Sequence, residues 1–135
     1  GIPLSVRGGG HNVAGLCVRD DALLLDLSAH LKHARWSAPD EEQVQVQGGA
    51  LWSTVDQCSA QRARTVPAGL ISHTGVGGLA QGGGIGWLSR MCGLTCASIC
   101  GARVVLADGR LVVLTERSAG AHPTAAEAKP TDAHA

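Results

Sequence analysis

An α+β fold is predicted for these 135 residues, on three observations. Short apolar runs of strand length recur along the chain, one stretch has helical periodicity, and glycine gathers in two loops between them. The length suits one ordinary domain. Nineteen residues are Gly and the only aromatics are three Trp, so the core is predicted to be small and mostly aliphatic.

The elements follow in order. Pro3 to Arg7 reads as a short strand that runs into Gly8-Gly9-Gly10-His11-Asn12. Ala22 to Leu27 is a continuous apolar run, as for a strand buried on both faces. His30 and His33 fall in a polar connection and are expected to be solvated. Gln43 to Gln47 alternates with period two, which places Val44 and Val46 on one face of a half-wet strand, and Gly48-Gly49 breaks it. Residues 50 to 63 are predicted as the one main helix, with Leu51, Val55 and Cys58 inward and Gln57, Gln61 and Arg62 outward. Thr65-Val66-Pro67 leaves toward a turn or another short strand. Gly69 to Gly86 is punctuated by glycine throughout. Val104 to Leu106 and Leu111 to Leu114 flank Ala107-Asp108-Gly109-Arg110, a hairpin signal centred on Asp-Gly. Beyond Thr115 the chain turns to Ala, Pro, Thr, Glu, Lys and His, and residues 117–135 are predicted to be a disordered or non-homologous tail.

Charge and composition exclude several functions. Eleven basic residues cancel eleven acidic ones and no basic run occurs, which argues against a nucleic-acid partner. No stretch approaches the ~20 apolar residues of a membrane span. Asp20-Asp21 and Asp40-Glu41-Glu42 read as turn and strand-edge charges rather than a paired-carboxylate site. Five cysteines (17, 58, 92, 96 and 100) are an odd number, so reduced thiols, and with them the cytoplasm, are the default. Cys92, Cys96 and Cys100 recur every fourth residue. That spacing matches neither a zinc nor a ferredoxin pattern, and no metal site is expected. The first residue is Gly1, and the chain is taken as a piece of a longer product whose compartment a missing leader does not decide.

The two glycine loops carry the chemistry. Three consecutive glycines let a ligand reach main-chain N–H groups, and successive N–H groups form a nest for phosphate oxygens. Arg7 stands just before them as a fixed positive charge. The second loop, Thr74 to Gly86, holds seven glycines in thirteen residues. Two such loops suggest a diphosphate held from two sides, although such loops are also simply flexible turns. A Rossmann fingerprint is absent, and so is the Gly-Lys-Ser/Thr of a nucleotide-triphosphate loop.

The segment Ser5-Val6-Arg7-Gly8-Gly9-Gly10-His11-Asn12-Val13-Ala14-Gly15 resembles the histidine-bearing pyrophosphate loop of FAD-linked oxidases, the vanillyl-alcohol-oxidase-like and berberine-bridge-enzyme-like group. Further segments are similar to that family in the same order. These are Val46 to Trp52, Pro67-Ala68-Gly69, His73 to Arg90, Gly93-Leu94-Thr95-Cys96 and Val104 to Arg110. The resemblance implies that residues 1–116 are a PCMH-type FAD-binding domain, incomplete at both ends. It implies cofactor contacts from Arg7, Gly8, Gly9, Gly10, His11, Asn12, Thr74, Gly75, Gly77, Gly78, Gly83 and Cys96. It also implies covalent FAD, through an 8α bond to His11 and a second bond to Cys96. Both side chains are nucleophiles when deprotonated. A packed, inert Cys96 stands beside that reading, because Ala97-Ser98 follow it where many relatives have Asp-Asn. His73 is read as a satisfied loop histidine, with a flavin-orienting role as the alternative.

The parent reaction implied is oxidation of an organic small molecule by hydride transfer to FAD. Catalytic residues are left unassigned, because relatives continue past residue 116 into a substrate domain. His122-Pro123 begins as relatives do, but Thr124-Ala125-Ala126 departs from them. The expectation is a flavin-domain fragment, inactive alone and marginally folded without FAD. The competing readings are a non-catalytic flavin or nucleotide binder and a redox or metal protein built on the cysteines.

Overall fold

A computed structural model describes residues 1–37 and 43–115. Asp40-Glu41-Glu42 and the tail expected at 117–135 lie outside the described residues. The chain divides into two units, the first covering Gly1–Ser98 and the second beginning at Ile99.

In the first unit, β1 (Leu4–Arg7) pairs in parallel with β2 (Leu23–Asp26), with Leu4 opposite Leu23 and Arg7 opposite Asp26. Ser5 faces inward and is buried, whereas Leu4 and Val6 on the other face are 55% and 48% exposed. β2 was expected to be buried on both faces, yet Leu23, Leu24 and Leu25 are exposed. Among the described residues β2 pairs as a strand only with β1, and its three leucines remain 43–63% exposed. A 3₁₀ turn over Leu27–Ala29 follows, capped by Asp26, whose carboxylate accepts from the Ser28 N–H.

β3 (Ala34–Trp36) and β4 (Val44–Val46) form an antiparallel pair. Val44 and Val46 are half-buried and Gln45 is exposed, the predicted alternation. β3 lies in the segment read as a polar connection. It is recruited by packing, since Trp36 donates its indole N–H to the Cys58 carbonyl at 3.2 Å and carries the Arg62 guanidinium 4.6 Å above its ring. His33, exposed as expected, also takes part: its N–H donates to the Gln47 side chain.

The helix predicted at 50–63 is α1 (Trp52–Ala60). Trp52, Val55, Cys58 and Ser59 are buried, and with Ala50, Ala80, Ser5 and Thr95 they make the core. No side chain caps α1 at its start. Its first N–H groups donate instead to the Thr74 and Ser72 carbonyls, at 3.1 and 2.8 Å. The helix therefore begins where a distant loop supplies acceptors that its own sequence lacks.

The glycine-punctuated stretch contains a short helix that periodicity did not reveal, α2 (Val76–Gln81). Next come α3 (Ser89–Cys92) and a 3₁₀ turn over Thr95–Ser98. Gly93, at φ +80°, ends α3, so Cys92, Cys96 and Cys100 do not share a helix face. In the second unit, β5 (Gly101–Val105) and β6 (Leu111–Thr115) form the predicted hairpin. Gly109 turns it at φ +85°, donating its N–H to the Leu106 carbonyl, and Asp108 accepts from the N–H and guanidinium of Arg110. No helix among the described residues is long and apolar enough to cross a membrane.

Candidate functional site

Three passes of bare main chain converge at the end of β1. A methyl group at Gly8 would lie 2.8 Å from the Gly48 carbonyl oxygen, and one at Gly77 would lie 3.0 Å from the same atom. A methyl at Gly9 would overlap the backbone of Gly75, and one at Gly75 would overlap Gly9. The junction therefore exists because none of these residues carries a Cβ. It is pinned to the core by an antiparallel bridge between Leu51 and Gly75 and by the Val76 N–H donating to the Ala50 carbonyl at 2.9 Å. Gly48 and Gly49, read from sequence as the break after a strand and as part of the family-like segment Val46 to Trp52, are the third wall. Their signal was an adjacent glycine pair flush against a helix start, and Gly49 is needed because a side chain there would meet the Leu27 carbonyl.

Above this junction the chain from Gly8 to Ala14 leaves its donors open. Among the described residues, none of those N–H groups reaches a backbone or side-chain acceptor. Asn12 folds the loop back, its side-chain oxygen accepting the Leu16 N–H at 2.9 Å and its carbonyl the Gly15 N–H at 3.1 Å. Gly10 sits at φ +74°, where a side chain would press on the Arg7 guanidinium 3.1 Å away.

Arg7 is braced rather than free. Its Nη1 donates to Asp26 Oδ2 at 3.0 Å, and Asp26 Oδ1 accepts from the Ser28 hydroxyl at 2.6 Å and from the Ser28 N–H at 2.9 Å. The Ser28 donors, and behind them the Arg7 charge, hold the Asp26 carboxyl below its usual range. Asp26 was not singled out from the sequence.

The crossing of Gly9 and Gly75 places His11 and His73 side by side. Each lies two residues from the crossing, and the ring centroids are 4.8 Å apart with a 44° tilt. Both residues are exposed, and neither imidazole hydrogen-bonds to a described residue. His73 is thus not the locally satisfied loop histidine that was expected. Cys96 is positioned separately: its N–H donates to the Gly83 carbonyl at 2.9 Å and the Thr95 N–H to Gly84 at 3.0 Å, leaving the Cys96 side chain exposed. Thr74 contributes its carbonyl to α1, and Gly78 has open space where a side chain would stand. No group of three or more metal-ligating side chains occurs among the described residues.

A family model described as an FAD binding domain matches residues 1–115. An uncharacterized FAD-linked oxidoreductase of Bacillus subtilis is 35% identical over 107 residues, 79% of this chain and 23% of its own length. The crystal structure of 6-hydroxy-D-nicotine oxidase from Arthrobacter nicotinovorans superposes with a TM-score of 0.82 at 27% identity, over 87% of this chain and 26% of that one. Glucooligosaccharide oxidase from Acremonium strictum, described with a 6-S-cysteinyl, 8α-N1-histidyl FAD, superposes with a TM-score of 0.77 at 33% identity, over 86% of this chain and 24% of that one. The chain spans about a quarter of the length of the curated relatives it matches.

Proposed function

The chain belongs to the FAD-binding domain family of FAD-linked oxidases, the vanillyl-alcohol-oxidase-like and berberine-bridge-enzyme-like group, and from that premise we propose that it holds FAD covalently for substrate oxidation. The observation that carries the reading is the unpaired row of N–H groups from Gly8 to Ala14 above a junction with no room for a Cβ. Such a row suits the diphosphate of a dinucleotide. From the second loop Gly75 meets Gly9 and Gly77 approaches Gly48, and Arg7 stiffens the base of the first loop. The residues present therefore fit the cofactor.

Bound there, FAD supplies a two-electron acceptor for a hydride from an organic small molecule. The chain's own residues bind, orient and attach. The open N–H groups neutralise the diphosphate without a mobile cation. His11 forms the 8α bond and Cys96 the second bond at C6 of the ring. Thr74 and Asn12 fix the loops that carry the donors. The chain alone, a quarter of its relatives' length, binds flavin and turns over no substrate.

Denaturing electrophoresis after acid treatment tests this, with flavin fluorescence as the readout in wild type, His11→Ala, Cys96→Ala and the double variant. Fluorescence retained in each single variant and lost in the double supports two attachment points. Fluorescence released from wild type by acid favours instead a non-catalytic module that binds flavin reversibly.

A further inference from the structure

Among the described residues, the imidazole of His73 lies against the ring of His11, centroid to centroid 4.8 Å. No carboxylate or carbonyl among the described residues accepts a hydrogen bond from the His11 imidazole, although a nucleophilic histidine ordinarily has such a partner to fix its tautomer. The contact follows from the main chain. Gly9 and Gly75 touch, His11 lies two residues beyond one and His73 two residues before the other, so the two imidazoles emerge on the same side of the crossing. Both rings are exposed, and exposed rotamers interconvert in nanoseconds or less, so a nitrogen of one ring reaches the other by side-chain rotation.

We propose that His73 is the positioning base for flavin attachment at His11. This rests on the covalent reading above and adds a role that the reading does not require. In the attachment step a bond forms between a His11 ring nitrogen and the 8α carbon of FAD, and one C–H bond of that methyl group breaks. The His11 N–H proton passes to the His73 imidazole and from there to water. The electron pair of the broken C–H bond passes by way of the flavin ring to dioxygen, which takes it up with two protons as hydrogen peroxide. A neutral imidazole nitrogen can accept such a proton and pass it on to water.

The test is the rate at which the full 135-residue chain acquires acid-stable fluorescence from added FAD in air. The chain carrying Cys96→Ala, in which His11 is the one remaining attachment point, serves as the reference and is compared with the same chain bearing His73→Ala, His73→Asn or His11→Ala, and reversible FAD affinity is measured separately without oxygen. Both His73 variants are expected to label at least tenfold more slowly, with FAD affinity within about twofold of the reference. Free imidazole is expected to restore the His73→Ala rate in proportion to its concentration and to leave His11→Ala unlabelled. Reference rates in the His73 variants overturn the proposal while leaving covalent attachment intact. So does a slow His73→Ala that imidazole does not rescue and whose FAD affinity has fallen, since that marks a structural role. Labelling that survives when both His11 and Cys96 are Ala, or is absent from wild type, removes the attachment reading and this proposal with it.

Discussion

Gly9 and Gly75 meet main chain to main chain, and neither has room for a methyl group. The contact is a structural joint and, on the proposed function, also the floor of the flavin cradle, so folding and binding would be tied together there. Gly9→Ala and Gly75→Ala are each expected to lower stability by about 1–3 kcal/mol, the usual cost of forcing extra volume into a closed contact. Because the strands of backbone must part, both should also lose FAD retention. Thermal unfolding and flavin fluorescence on the same samples check the pair of effects.

Gly78 separates those two roles. It sits inside α2 with open space where a side chain would stand, unlike Gly77, whose Cβ would approach the Gly48 carbonyl. Gly78→Ala is therefore expected to stabilise the chain without flavin by about 0.8–1 kcal/mol through helix propensity alone. If Gly78 lines the diphosphate, the same methyl group weakens FAD binding. A raised midpoint without FAD combined with weaker binding is the expected signature. Unchanged affinity would take Gly78 out of the binding surface.

Ala63 follows α1 at φ +49°, in the left-handed region that a Cβ disfavours. Its N–H donates to the Ala60 carbonyl and the Arg64 N–H to Ser59, so the turn that stops the helix depends on this strained residue. Ala63→Gly is expected to raise stability by about 1 kcal/mol. The gain should appear equally with and without FAD, because Ala63 is remote in sequence from both glycine loops. Urea unfolding midpoints measure it.

The elements legible in the sequence were those whose signal is local. β4 showed its period of two, α1 its helical spacing, and the hairpin its Asp-Gly turn. β3 showed nothing, because Ala34-Arg35-Trp36 becomes a strand only when Trp36 finds Cys58. α2 was hidden by Gly77 and Gly78, each of which costs a helix about 1 kcal/mol; Gly77 is there for its approach to Gly48. The leucines of β2 marked the strand but not its surroundings. At the site, the two glycine loops could be read from composition, whereas His11 was singled out only through the family resemblance. Which glycine meets which could not be read, since Gly9 and Gly75 are joined only by the fold, and the contact between His11 and His73 follows from that joint.

FAD retention should weaken in acid through Asp26. The Ser28 hydroxyl and N–H, and then Arg7, lower its carboxyl from the ordinary value of 3.8. A carboxyl lowered on folding contributes stability that is fully present above the unfolded value. It is lost as pH falls through the lowered one, below which both states are protonated. Protonation releases Arg7 and Ser28 together, and both hold the base of the first glycine loop. Asp26→Asn is expected to lose stability at neutral pH and to show a shallower decline on acidification below about pH 4. Asp108, lowered by Arg110, supplies an acid limb of its own in the hairpin unit. Asp108→Asn should flatten the total unfolding curve without changing the pH at which flavin is released. Release at the same pH in Asp26→Asn and wild type would show that the brace plays no part in holding the cofactor.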